Sequence, residues 1–528
     1  MPESQPDYRR VRICGSLTCH SDLHVGDGAT LAWEDRKGLP QDREAPDLET
    51  DPTYHGVCWT PERGPYLPGS SLRGSLRNLL PAHHAFTRRW FGYVETPQEG
   101  GGQAGKLRVY DAFLSDPAPF PEHQPPAYWS VARQTAARHA IRIDQITGTA
   151  EHKKLFSHEV VPAGSVFRIE FEADDLDRAE LAQLLGLLRR WDGGLWSGLG
   201  GKRGKGWGRV QWQCERVCGI TPAGLADWLA QERLPPEAYF EDLSDLTPTL
   251  PPTVQVPPAI GYRLNAEGPL LVSEPGYRRA PLTPQQKKAG EDPPPTHEYS
   301  RRPDGTPLIP GKGLVGAVRA RAGRIIAGIA HRHLSPGAAP DAATATAARL
   351  IDDLFGNAGR RGTLWISDAE PPAPDSERPQ DQPRFHDQYF NAIDRFTGAV
   401  KGQAGEGALF HVQASTDGSY QGRLLLESHR LPDSDWWKAL LLFLARDALE
   451  GELAVGWGQA KGYGAVRAAF LIGDQTITTW PELLAWARTA GAGDPGDWID
   501  ALHQHIRDTL AAPRATTATL IPGDPADE

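Results

Sequence analysis

Two stretches of this 528-residue chain set basic side chains at turns where backbone N–H groups can bind an anion. The first is Pro65-Tyr-Leu-Pro-Gly-Ser-Ser-Leu-Arg-Gly-Ser-Leu-Arg77. The second is Pro307-Leu-Ile-Pro-Gly-Lys-Gly-Leu-Val-Gly-Ala-Val-Arg319. Each reads as an apolar strand end, a Pro-Gly turn and a helix. Ser70 or Ser71 is expected to cap the first helix, because a side-chain oxygen satisfies an orphan N–H. The remaining N–H groups and the positive end of the helix dipole suit a phosphate. Arg73 and Arg77 are four apart, hence on one helical face. Lys312 adds charge in the second turn, and Arg319 matches Arg77 in register. Two glycine-rich loops, 197–210 and 455–467, are further anion candidates. Lys202, Arg203 and Lys205 charge one and Lys461 the other, while Trp207 and Tyr463 suggest faces for base or ribose stacking. Neither loop has Walker spacing, and the glycines precede a strand rather than a helix, which disfavours a nucleotide-binding P-loop.

The elements that must position these residues recur in one order. In the first half, 11–19 favours a strand, 27–64 is a long acidic loop, and a helix is expected from Ser71 to about Leu80. Helical His83 to Trp90 ends at Phe91-Gly92. Lys106 to Ala112 alternates like a strand, and Ile141 to Phe171 reads as a long hairpin returning to a strand. Asp177 to Trp191 has helical spacing. Residues 235–258 hold seven prolines and read as a linker. The order then restarts: a strand from Ile260, a polar loop at 273–304, and a helix from about Gly313 to Ala330. Leu354-Phe-Gly, Thr363 to Ala369 and Ala392-Ile-Asp-Arg-Phe-Thr-Gly follow, then the second glycine loop. Five features in the same order indicate duplication of a whole domain. Trp480 to Leu510 reads as one or two helices, and the composition from Ala511 suggests disorder.

Apolar content of 39% and charged content of 23% suit soluble globular domains. The net charge of −11 argues against a generally basic nucleic-acid coat protein, but leaves room for a local basic groove. Five cysteines without standard finger spacing support neither a disulfide framework nor a zinc site. No long apolar run or charged leader is present, so a cytoplasmic protein with no membrane partner is expected.

The ordered set His24-Val-Gly, Tyr66-Leu-Pro-Gly-Ser-Ser-Leu-Arg-Gly, Phe91-Gly, Val109-Tyr-Asp-Ala, Ile143-Asp-Gln-Ile-Thr-Gly, Val161-Pro-Ala-Gly and Gly204-Lys-Gly-Trp-Gly-Arg-Val resembles the RAMP superfamily. More narrowly, it resembles the backbone subunits of type III CRISPR effector complexes, in their tandem form. The resemblance implies an α+β chain of two ferredoxin-like, RRM-related domains in βαββαβ order with long inserted loops. The expected divisions are 1–234, a Pro-rich linker at 235–258, 259–475, and a helical, partly disordered tail at 476–528. It further implies that the helix motifs and glycine loops hold the crRNA backbone. A thumb hairpin after each Ile-Asp-x-x-Thr-Gly would kink the guide and bring Lys153, Lys154 and Arg395 to it. Catalytic members cut target RNA with an aspartate and a divalent metal such as Mg²⁺. The nearest carboxylates to the family's offset are Asp51 and Asp292. Implied partners are crRNA, target RNA, and other RAMP and CRISPR effector subunits. The alternatives are a scaffold without chemistry, or a guide-processing endoribonuclease using a histidine among His20, His24, His55, His83 and His84.

Overall fold

In the computed structural model, the described residues are 6–31, 54–81, 84–94, 101–119, 129–143, 150–230, 236–251, 258–273, 295, 297–339, 341–357, 359–373, 382–400, 402–403, 406–407, 409–489 and 493–511. The first half begins with β1 (Tyr8–Cys19), whose alternating burial places Val11, Ile13 and Leu17 on the core face. Then follow α1 (Gly69–Arg77), α2 (Ala85–Phe91), β2 (Leu107–Val109), β3 (Ala112–Asp116), and a hairpin of β4 (Thr135–Ile143) and β5 (Ala150–Val160). β6 (Val166–Leu176), α3 (Arg178–Leu188) and β7 (Val210–Ile220) complete the unit. β1 pairs antiparallel with both β6 and β7, and β2 and β3 pair with β6. The strand order is therefore β7-β1-β6 with β2 and β3 beyond β6, the βαββαβ pattern of the ferredoxin-like fold, and the short strand Gly64–Leu67 that leads into α1 pairs with β3.

The second half repeats it. β8 (Ile260–Ala266), α4 (Gly311–Arg332), α5 (Ala342–Phe355) and β9 (Leu364–Ile366) lead to a hairpin of β10 (Phe385–Asn391) and β11 (Leu409–Ser415). β12 (Ser419–Leu426), α6 (Trp436–Leu449) and β13 (Ala465–Ile472) follow. The order is β13-β8-β12-β9. The last helices, α7 (Trp480–Thr489) and α8 (Pro495–Ala511), are packed elements. Leu483, Trp498, Leu502 and Ile506 are buried with Ile326, Leu350 and Leu440. Likewise, part of the proline-rich connection belongs to the first sheet: Glu241–Asp242 pairs with β7, and Leu243 enters its core.

The two cores solve one packing problem in opposite ways. On the central strand of the first half, Gly15 lies under the ring of Trp212, whose Cζ2 would stand 2.8 Å from an added Cβ, and beside Ile169. In the second half the corresponding residue is the buried Tyr262. Its ring covers Gly422, with Cε1 2.9 Å from an added Cβ there, and its hydroxyl donates to Ser367 O at 2.8 Å.

Helix α1 starts two residues earlier than the sequence suggested and ends sooner, at Arg77; α4 extends further at both ends than expected. Leu72 and Leu76, four apart, are the buried anchors of α1. Each contributes roughly 1.5–3 kcal/mol of apolar burial.

Candidate nucleic-acid interface

The Ser70 or Ser71 cap is not made. Pro68 occupies the N-cap position and no side chain caps it, because the helix already begins at Gly69 and both serines lie within its first turn. Instead Asp111 Oδ1 accepts from the Gly69 N–H at 2.8 Å. The second half does the same: Asp368 Oδ1 accepts from the Gly311 N–H at 2.7 Å. The aspartates of the repeated Val109-Tyr-Asp-Ala and Ile366-Ser-Asp-Ala motifs thus sit at the positive helix ends that suggested phosphate. The recurrence of Asp before Ala in both copies was the signal for this role.

The two glycine loops have one geometry. Leu199 N donates to Gly208 O at 2.8 Å and Val455 N to Gly464 O at 2.9 Å. Short 3₁₀ turns follow at Arg203–Lys205 and Gln459–Lys461. Their surroundings differ. The first loop is seated on the Pro-Gly turn of the second half. Gly206 has φ +90°, and an added Cβ would stand 2.8 Å from Asp368 N, while one on Gly311 would stand 2.7 Å from Lys205 O. Beneath, Leu195, Trp365 and Leu425 form a buried cluster. Trp196 stacks on Trp365 at 5.8 Å, and Arg203 lies 5.3 Å over the same ring. Around the edge, Arg302 donates to His20 O at 2.9 Å and pairs with Glu370. Lys312 Nζ donates to His139 O, on the first hairpin, at 2.7 Å.

This junction gathers four of the basic residues singled out in the sequence. Lys202, Lys205, Lys312 and Arg319 come from two halves; Lys205 remains exposed, yet partial desolvation first, and then the other three cations, lower its ammonium. The base of the hairpin abuts them: burial and then Lys202 push His158 down to about 3. Below, burial raises Asp368 to about 6 against the opposing hydrogen bond from Gly311.

Other expected contacts are committed inside the protein. Trp207 and Tyr463 are 7% and 3% exposed, so neither offers a stacking face. Trp207 packs with Ala136 and Val160, and the Tyr463 hydroxyl donates to Gln388. Arg203 donates to Gly198 O at 3.2 Å. Arg73 donates to Phe91 O, and Arg319 donates to Gly356 O at 2.8 Å and Asp352 at 2.6 Å. From different positions of their motifs, both arginines tie the first helix to the end of the second. Arg77 and Lys202 are exposed. Lys461 lies over three rings, Trp457 at 4.4 Å, Phe390 at 4.9 Å and Phe410 at 5.1 Å, and so fastens the second hairpin to its loop. Arg395 stands at the hairpin's far end, over Phe396 at 4.9 Å. Lys153 and Lys154 lie on β5, with their side chains outside the described residues.

Asp51, Asp292 and His83 also lie outside the described residues. Among those described, no group of three or more His, Cys, Asp or Glu side chains could hold a metal ion. Of the histidines, His84 caps α2 by accepting from Phe86 N at 3.2 Å. His24 bonds Glu159 O at 2.7 Å and packs edge-on against His158. No described helix is long and apolar enough to cross a membrane.

A family model for the RAMP superfamily matches residues 16–211 and again residues 263–467. A search of curated proteins finds no match.

Proposed function

The chain belongs to the RAMP superfamily, a family of CRISPR-associated RNA-binding proteins, and from that premise we propose that it is a tandem backbone subunit holding the guide RNA of a type III effector complex. The supporting observation is the junction. It joins one half's glycine loop to the other half's Pro-Gly turn and leaves the complementary partners uncovered. An added Cβ on Gly462 of the second loop would meet nothing within 4 Å, and Asp111 beside the first turn is exposed. A further RAMP subunit seated the same way would bring Lys461 to Ser70 and Arg77, as Lys205 is brought to Lys312 and Arg319. Repetition of that contact would draw a line of cations along the assembly, spaced to follow a phosphate backbone. The protein would then read backbone and shape, and guide pairing would read sequence.

We further propose that Asp51 and Asp292 support metal-dependent cleavage of the paired target. This rests on the sequence resemblance. The test incubates the assembled complex with end-labelled target RNA and Mg²⁺, and separately with precursor crRNA. The proposal expects regular target cuts, one lost in Asp51→Ala and another in Asp292→Ala, with guide and target binding intact. Absence of any metal-dependent cut leaves the scaffold function alone, and cutting of the precursor instead identifies a guide-processing enzyme.

A further inference from the structure

Among the described residues, the second half carries a helical layer without a counterpart in the first. α4 has 22 residues where α1 has nine. Its extension joins α5, α6, α7 and α8 in a separate core around Ala322, Ile326, Leu440 and Leu502. On the outside of this layer, α4, α6 and α8 border an open groove of about 480 Å³. Arg321, Arg324 and Arg332 line it from one stripe of α4, and Arg446 from α6. Asp447, 2% exposed, accepts from Arg321 at 2.6 Å and from Arg446 at 2.7 Å, which holds those two guanidinium groups in place. Arg324 and Arg332 are exposed, and neither has an ion-pair partner among the described residues. Between them the wall is apolar: Ile325, Ile329, and Gly328, where an added Cβ would meet nothing within 4 Å.

Asp447, Glu450 and Glu452 pair with Arg321 and Arg446 and leave the charges of Arg324 and Arg332 uncompensated, which selects an anionic partner. Single-stranded RNA binds such grooves through open aromatic faces on which bases stack. Here the wall is aliphatic. Phe443 has Arg446 over its ring at 5.3 Å, and His503 is bonded to His333 at 2.9 Å. Arg324 and Arg332 are eight residues apart, or about 12 Å along the axis, which matches carboxylates at i and i+8 of a second helix laid alongside. An apolar strip between two cations fits an amphipathic helix with acid flanking its apolar face. We propose that this groove docks an acidic amphipathic helix of a partner protein. Its carboxylates pair with Arg324 and Arg332, and its apolar residues rest on Ile325 and Ile329. Docking of such a helix does not depend on guide binding.

The test uses the full chain and a fluorescein-labelled synthetic helix of about 18 residues with a leucine face flanked by glutamates. A Glu→Gln copy and an oligouridine of similar length serve as comparison probes. Anisotropy should show the glutamate peptide binding, with about tenfold loss in the Gln copy and in the Arg324→Glu/Arg332→Glu variant. A lysine-flanked peptide should bind the charge-reversed variant better than it binds wild type. Both arginines are exposed and make no ion pair among the described residues, so the variant should melt within a few degrees of wild type, the small loss coming from Arg332 at the C-terminal end of α4, and oligouridine affinity should not change. The inference is overturned if the glutamate peptide does not bind, if the variant binds it equally well, or if oligouridine is the probe whose affinity falls.

Discussion

Asp368→Asn isolates the electrostatics of the junction between the halves. Asp368 is 8% exposed and caps α4 by accepting from the Gly311 N–H. Burial raises its carboxyl from 3.8 to about 6. A carboxyl that holds its proton more tightly folded than unfolded makes stability fall as pH rises between about 4 and 6, and leaves it level above that window. At about 1.4 kcal/mol per pH unit, the charged form costs roughly 3 kcal/mol at neutral pH. Asparagine keeps an oxygen to accept from Gly311 and removes the charge. The variant should therefore match wild type near pH 4 and exceed it above pH 6, by up to roughly 3 kcal/mol. Alanine removes the acceptor too, so it should fall about 1–3 kcal/mol below asparagine. Asp111→Asn is the control, because the same cap is exposed there and should shift stability by no more than about 0.5 kcal/mol. Urea titrations from pH 4 to pH 8 measure all four proteins. If Asp368→Asn keeps the wild-type pH slope, or is less stable at pH 7.5, the buried-charge argument fails.

Three further outcomes follow from the same geometry. Lys202→Glu with Lys205→Glu should weaken guide binding equally across guide sequences and flatten its salt dependence in filter-binding assays; loss confined to some sequences would contradict phosphate contact. Trp207→Ala should cost about 3–5 kcal/mol of stability in urea melts, and Trp207→Phe should bind RNA like wild type, because the ring fills a core rather than stacking a base. Arg319→Ala should lower stability by about 1.5–3 kcal/mol through its lost carbonyl and carboxylate partners, whereas exposed Arg77→Ala should stay within about 0.5 kcal/mol by the same measurement.

The duplication was legible because its punctuation is local. Pro-Gly turns, Phe-Gly helix ends and glycine loops have backbone requirements that survive in the residue string, and each was found in the expected order. The fate of individual side chains was not legible, since it depends on what the other half covers. Nothing local distinguishes Lys205, gathered into the cationic cluster, from Arg203, laid over Trp365 on the opposite half. The Ser70 and Ser71 cap failed within one half, because the acceptor comes from Asp111, 42 residues on. Arg73 and Arg319 occupy different motif positions yet do the same work, which motif register alone could not indicate.

Two similar domains on one chain invite a folding error, in which a strand of one half completes the sheet of the other. The opposite aromatic–glycine arrangements described above guard against it. Were β8 to take the place of β1, Tyr262 would have to enter the space already filled by Trp212 and Ile169. In the reverse exchange, Gly15 would leave empty the volume that Tyr262 occupies over Gly422. The first error overpacks, at about 1–3 kcal/mol or more, and the second opens a cavity of aromatic size, at about 3–5 kcal/mol. Each half thus carries a size-coded key at its central strand, and the nascent chain can sort its own repeats before any RNA is present.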